Sequence, residues 1–515
     1  MEKIMDKKYV LGFDGGTGGM RVGIFDMQGH EISFASTEYE TRHPYPGWAE
    51  QTPDDWWNAL RESTRKAMAH ANIAKEDIVA MSYDLTCCSV MLSMKDGTPV
   101  RDCLIWMDVR SAKEAADIAA TGDPALKYNG FGNVSAEWMP CKALWLKRNE
   151  RENYDKAEVL CEYTDWITYK LTGKWTICMN NISARWYYDS ANGGFPRSLY
   201  AAVDLEDALD KFPQEIHMLG DDLGTLSKEA ADFLGLSENT KVAQGGVDAY
   251  IGNIGLGVIE PGKVALITGS SHLIMGLTDK YNYGKTGIFG PYPDNMVRGT
   301  GLVEGGQTSS GSIVSWFKRN FCKDLDMTDE GAYAILNREA AKIAPGSDGL
   351  VVLDWWQGNR TPYTDSNIRG NIYGLSLNHT QAHLFRAIME GVAYGTENVF
   401  QSFRKAGYTV DEIYMGGGTT NSELFMQIHA DVSNVTVNVP ENPQSPTLGS
   451  AILAAVSAGF YPTLKDAVNG MVRYAKRIEP SAENHAKYEK FFAQYQKAYG
   501  KFGDWMRETS ALVAE

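Results

Sequence analysis

Three times in this chain an apolar, strand-like run ends in a cluster of small residues. Phe13-Asp14-Gly15-Gly16-Thr17-Gly18-Gly19-Met20-Arg21 follows Tyr9-Val10-Leu11, Gly269-Ser270-Ser271 follows Val264-Ala265-Leu266-Ile267, and Met415-Gly416-Gly417-Gly418-Thr419-Thr420-Asn421 follows Glu412-Ile413-Tyr414. Such clusters bare backbone N–H groups at the end of a strand, where they either turn a hairpin or converge on an anion. The first two lie between apolar runs and predict strand-turn-strand. The third leads into a helical pattern from Asn421, which sets a helix N-terminus beside bare backbone. A chain organised around three such bends is held to mixed α/β structure.

Two well-defined nucleotide loops can be tested by counting. A dinucleotide fingerprint through Gly16 and Gly18 needs glycine where Arg21 stands, and a Walker loop ending Gly284-Lys285-Thr286 needs glycine where Asp279 stands. Neither is present. What remains is a bend in which Thr17 and Arg21 add a hydroxyl and a cation to the backbone donors, with Asp14 placed to meet a metal riding on phosphates.

Around the first bend, residues 9–38 read as a three-stranded meander closed by the turn Asp26-Met27-Gln28-Gly29-His30. A helix is expected from Pro53, with Thr52 as its cap and Asp54 and Asp55 facing its positive end. Strands are expected at 77–85 and 88–94, a mainly helical stretch from Arg110 to Leu171, and a helix at 390–407. The strand-turn-strand pattern begins again at 263–277, which indicates an internal duplication. The junction falls at Glu260-Pro261-Gly262, giving domains 1–259 and 260–515: two α/β lobes with a cleft between them.

A length of 515 residues exceeds one ordinary core, and 43% hydrophobic with 22% charged residues is the range of globular proteins. A net charge of −16 repels nucleic-acid backbones and anionic membranes, leaving small molecules as the expected partners. Seven cysteines without a CxxC pair argue against a disulfide framework or a thiolate zinc site. The opening Met-Glu-Lys-Ile-Met-Asp-Lys-Lys lacks the apolar region of a signal peptide, and no apolar run is long enough to span a membrane, so a cytoplasmic location is expected.

Five ordered segments then carry a resemblance over nearly the whole chain: 14–26 (DGGTGGMRVGIFD), 245–257 (GGVDAYIGNIGLG), 304–317 (EGGQTSSGSIVSWF), 354–370 (DWWQGNRTPYTDSNIRG) and 415–431 (MGGGTTNSELFMQIHAD). Together they resemble the FGGY family of carbohydrate kinases, within the actin-like ATPase folds. The resemblance implies two RNase H-like domains flanking a central catalytic cleft, sugar held mainly by the first and ATP mainly by the second. It implies that Asp14, Gly16, Thr17, Gly18 and Arg21 form the first phosphate loop and Gly269 and Ser270 the second. Gly311 and Ser315 fall at nucleotide-contacting positions, and Gly417, Gly418 and Asn421 at the adenosine site. Asp248 matches the family's catalytic base, with Mg2+ near Asp14 through water.

For the sugar, Thr86-Cys87 stands where glycerol kinases carry Arg-Glu, and Asp84-Leu85-Thr86-Cys87-Cys88 is similar to the Asp-x-Thr-x-Cys stretch of ribulose kinases, as is 135–139 ahead of Lys142. Glu304 coincides with a ribulose-contacting glutamate, and Arg185 sits where those enzymes use lysine, a change from point charge to planar fork. Trp106 offers an apolar face to the sugar, with Asp108 beside it. The implied activity is ATP-dependent phosphorylation of a primary hydroxyl of a ribulose-like ketopentose, in a homodimer by family habit. Xylulose and erythritol are rival substrates. A sugar sensor or actin-like assembly protein that binds ATP without transfer is the rival from another class.

Overall fold

The computed structural model describes residues 8–131, 134–326 and 331–514, so the opening stretch read above, apart from Lys8, lies outside the described residues. Contacts divide the chain into two compact units. The first comprises the residues up to Ile259 together with Tyr292–Leu302 and Gln444–Arg473, and the second comprises Glu260–Pro291, Val303–Pro443 and the residues from Tyr474 onward. The chain therefore returns twice to the first unit after position 260.

The largest sheet of the first unit has seven strands: β1 (Tyr9–Gly16), β2 (Gly19–Asp26), β3 (Glu31–Glu38), β4 (Ile78–Leu85), β5 (Asp222–Thr225), β6 (Lys241–Ala243) and β7 (Gly246–Val247). They lie in the order β5-β6-β4-β1-β2-β3, with β7 also paired to β4. β1 to β3 form the expected antiparallel meander, while β4 runs parallel to β1, and β6 and β7 parallel to β4. The turn after β2 closes as its sequence predicts, the Asp26 carboxylate accepting the N–H groups of Gln28 and His30 at 2.9 Å each. On one face the helix Pro53–Ala71 sets Trp56, Leu60 and Ala67 in one core with Leu11, Phe13 and Val22. Thr52 does not cap this helix through its side chain; its hydroxyl accepts from Arg42 at 2.7 Å instead.

The helices Asp248–Leu256 and Ser445–Ser457 cross at paired glycines. A Cβ on Gly255 would lie 1.9 Å from the Ser445 carbonyl oxygen, and one on Gly449 would lie 2.2 Å from that of Ile251. This backbone-to-backbone approach fixes the helix that begins with Asp248.

The second unit repeats the plan. The strands of its main sheet are β8 (Gly262–Thr268), β9 (His272–Thr278), β10 (Phe289–Pro293), β11 (Gly301–Gln307), β12 (Val410–Gly417), β13 (Thr436–Pro440) and β14 (Tyr474–Ile478), in the order β10-β11-β9-β8-β12-β13-β14. β8 and β9 form an antiparallel hairpin, β12 is parallel to β8 and β13 to β12, and β14 closes the edge antiparallel. From β11 to β14 this order matches β3-β2-β1-β4-β6-β5, with β10 added at the edge, so the duplication read from the glycine bends is architectural. The helix expected at 390–407 spans Gln381–Lys405, beginning nine residues earlier at a capping box formed by Thr380 and His383. All seven cysteines are free thiols. Among the described residues no helix is long and apolar enough to cross a membrane.

Candidate active site

In the first unit the chemistry collects where the parallel strands end, the usual place for ligands in such sheets. Strand register makes Asp14 of β1 the neighbour of both Arg21 on β2 and Asp84 on β4, and makes Asp84 the neighbour of Gly246 on β7, two residues before Asp248. The Arg21 Nη1 donates to Asp14 Oδ2 at 2.5 Å, so part of the guanidinium read as a phosphate ligand is held by a carboxylate, while its exposed remainder is left to meet an anion. Burial raises the Asp14 carboxyl despite that cation. Burial, followed by the Asp14 charge, pushes Asp84 well above the usual carboxylate range and favours its protonated form, and the Ser450 hydroxyl donates to Asp84 Oδ2 at 2.7 Å.

Asp248 is the first residue of its helix, and the N–H of Ala249 donates to its Oδ1 at 2.7 Å. Burial and then the Asp14 charge push its carboxyl up to about 7, against the lowering effect of that N–H and of Arg21. Asn180 steadies the approach to it: its Oδ1 accepts the Val247 N–H at 2.9 Å while its Nδ2 donates to Asn295 Oδ1 at 2.8 Å. Asp84 enters the sequence reading only as the first residue of the Asp-x-Thr-x-Cys stretch, with no role of its own, and Asn180 is not singled out there, since its contact with Asn295 spans 115 residues.

The first glycine bend is a tight hairpin with Thr17 and Gly18 at its tip. Gly18 has no left-handed φ, and a Cβ on it would meet nothing within 4 Å, so neither backbone conformation nor packing within the chain demands glycine there. The bend is braced from outside: Gln51 Nε2 donates to the Thr17 carbonyl at 2.7 Å, Trp106 Nε1 donates to Thr17 Oγ1 at 2.8 Å, and the Tyr39 hydroxyl donates to the Gly16 carbonyl. Trp106 is 39% exposed, so it is no core residue.

Asp108 is fully buried, and its carboxylate accepts the N–H of Ala49 at 2.6 Å and bonds from the Arg110 backbone and guanidinium. Arg110 in turn lies 3.6 Å from the Trp48 ring centroid. These bonds make Asp108 a brace for its loop rather than a free acceptor for a ligand.

Thr86 and Cys87 follow β4 directly. The Thr86 hydroxyl pairs with that of Ser89 at 2.9 Å, and its N–H donates to the Gly15 carbonyl at 3.2 Å. The wholly buried Lys142 ties this turn to the Trp106 loop, its Nζ donating to the carbonyls of Cys88 at 2.7 Å and Ile105 at 2.6 Å. Lys142→Met would leave two buried carbonyls without that donor, a cost of about 3 kcal/mol. Calorimetry is expected to show a Tm lower by roughly 5–10 °C; an unchanged Tm would contradict this role. Arg185 ends the helix Met179–Arg185, donates from Nη1 to the Tyr292 hydroxyl at 2.9 Å, and lies between 5.4 and 5.9 Å from the ring centroids of Trp138, Tyr250 and Tyr292.

In the second unit, Gly269, Ser270, Gly311, Ser315, Gly418 and Asn421 line one cavity of about 370 Å³, with Val314, Tyr333, Asn337, Phe385, Met389, Thr419, Ser422 and Phe425. Its floor is set by close backbone contacts. The Gly311 N–H donates to the Gly269 carbonyl at 3.1 Å, and the Ser310 N–H to that of Ser270 at 2.9 Å. Gly417 lies beside the cavity with φ +104°, where a Cβ would fall 1.9 Å from the Thr268 carbonyl oxygen, so only glycine fits. The buried Oγ1 of Thr419 has no hydrogen-bond partner among the described residues, which suits a site that receives a polar ligand. Glu304 lies on β11, buried. Trp355 is wholly buried and donates to the Tyr495 hydroxyl at 3.0 Å, while Trp356 packs edge-on to Trp316.

Among the described residues no three metal-ligating side chains converge tightly enough to hold an ion alone. Magnesium does not need that, since it keeps several waters and takes further ligands from phosphate. The Asp14 carboxylate fits the one or two acidic ligands such an ion uses.

Comparison with known proteins bears on this arrangement. Residues 9–255 match the model of the N-terminal domain of the FGGY family of carbohydrate kinases, and residues 264–458 that of its C-terminal domain. A ribulokinase of Anoxybacillus flavithermus is 30% identical, covering 97% of this chain and 95% of its own. A xylulose kinase of Bacillus subtilis is 27% identical, covering 96% and 97%. The crystal structure of a xylulose kinase from Rhodospirillum rubrum superposes with a TM-score of 0.85 at 26% identity, over 97% of this chain and all of that one.

Proposed function

Since the chain belongs to the FGGY family of carbohydrate kinases and so transfers phosphate to a sugar hydroxyl, we propose that its substrate is a ketopentose of the ribulose type, phosphorylated on a primary hydroxyl from ATP. One observation carries the chemical part: Asp248, beside Asp14 and at the start of a fixed helix, has a carboxyl pushed up to about 7, the range of a general base that works near neutrality. The ribulose preference is supported by Thr86-Cys87 after β4, by Glu304 and by the ribulokinase relatives, while Arg185 departs from the lysine those enzymes use.

Phosphoryl transfer asks little covalent work of the protein; it asks for orientation and charge stabilisation. Asp248 accepts the proton of the primary hydroxyl as that oxygen attacks the terminal phosphorus. Arg185, Glu304 and the backbone at Thr86-Cys87 hold the remaining sugar oxygens, which gives the directional bonds that discriminate stereoisomers. The Thr17 and Ser270 bends and the Gly311 helix end offer N–H and hydroxyl donors to phosphate oxygens. Asp14 is the residue that would hold magnesium, and the ion would supply charge neutralisation on the phosphates.

The acid side of the pH profile follows. A base acts only when unprotonated, so kcat/KM is expected to fall tenfold per unit as pH drops below about 7 and to level off above it. A flat profile from pH 5 to 8 would contradict Asp248 as base. The substrate is tested by ADP release over D- and L-ribulose, D- and L-xylulose, erythritol and glycerol. The proposal expects a ribulose isomer to give the highest kcat/KM and glycerol to give none; equal rates without any sugar would overturn it.

A further inference from the structure

Asn337 stands in the wall of the second-unit cavity with its amide fixed in one orientation. Its Nδ2 donates to the Tyr333 carbonyl at 2.7 Å, and its Oδ1 accepts from the Ser422 hydroxyl at 2.5 Å. Ser422 is the N-cap of the helix Glu423–Ser433 and accepts the Phe425 N–H at 3.2 Å, which leaves its proton for Asn337. A carbonyl oxygen only accepts, so reversing the amide would set oxygen against oxygen at Tyr333. The lock leaves one N–H and one Oδ1 lone pair side by side on the amide.

The surroundings suit a flat aromatic ligand. Val314, Tyr333, Phe385, Met389 and Phe425 give the cavity apolar walls, while Gly269, Ser270 and Gly311 supply the backbone for phosphate in the same cavity. Adenine and guanine present opposite orders on the edge that carries the 6-substituent: amino donor beside ring acceptor in one, carbonyl acceptor beside ring N–H in the other. A free amide serves both by flipping. A locked one must choose.

We infer that Asn337, locked by Ser422 and the Tyr333 carbonyl, is the residue through which this chain selects adenine over guanine nucleotides. The inference rests on the kinase reading and adds to it the determinant of base choice.

Titration calorimetry of the full chain with ADP, GDP and inorganic tripolyphosphate tests it. The wild type is expected to bind ADP at least about tenfold more tightly than GDP. Asn337→Ala should weaken ADP by about tenfold, bring the two nucleotides within threefold of each other, and leave tripolyphosphate affinity unchanged. Ser422→Gly keeps a tolerated cap residue and removes one of the two bonds that hold the amide, leaving the one to the Tyr333 carbonyl, so it should narrow the ADP-to-GDP ratio by less than Asn337→Ala does. An unchanged ADP-to-GDP ratio in both variants overturns the assignment, as does loss of tripolyphosphate binding in Asn337→Ala, which marks a structural role. A wild type that binds neither nucleotide overturns the kinase reading itself.

Discussion

Asp248→Asn is expected to lower kcat by about a thousandfold while leaving ADP affinity within twofold of the wild type. The substitution keeps the size of the side chain and its bond from the Ala249 N–H, but removes the lone pair that takes the proton. The helix behind it, fixed by the crossing at Gly255 and Gly449, has no reason to move. Steady-state kinetics with calorimetry on the same preparation separates the two effects. Turnover within tenfold of wild type would remove Asp248 from the chemistry, and a parallel loss of ADP binding would make it structural.

Gly311→Val should abolish nucleotide use by the opposite route. A Cβ at 311 would sit 2.3 Å from the Gly269 carbonyl oxygen, which is backbone and cannot swing aside as a side chain would. The helix Gly311–Phe321 must shift, and the Gly311 to Gly269 bond that sets the cavity floor is lost. ADP affinity is expected to fall about a hundredfold. Sugar affinity, assigned mainly to residues of the first unit, should change little. Wild-type ADP affinity in a folded Gly311→Val chain would place the nucleotide elsewhere.

Much of this was legible because local chemistry and tertiary role coincide at the bends. Gly417 is glycine because its φ and the Thr268 carbonyl leave no alternative, and a run of such residues at a strand end is visible in any sequence. The duplicated sheet was legible for the same reason, since β1-β2 and β8-β9 are hairpins whose pattern is local. Long-range partnerships were not. Asp84 becomes the third buried acid only because β1 and β4 pair in parallel across 70 residues of chain, and its Ser450 partner comes from a segment that returns to the first unit from 366 positions away. Asp108 looks like a free acid in sequence, whereas the Ala49 N–H and Arg110 that occupy it are brought to it by folding. Asn337 lies in an ordinary helical stretch, and only the nearby Ser422 cap turns it into a fixed donor and acceptor.

The most direct test of the account is the structure of the chain with a ketopentose and a non-hydrolysable ATP analogue bound together. The account predicts a primary hydroxyl oxygen within about 3.2 Å of the Asp248 carboxylate, aligned with the terminal phosphorus. A sugar that presents its carbonyl or a secondary hydroxyl to Asp248, or that binds away from it altogether, would contradict the account.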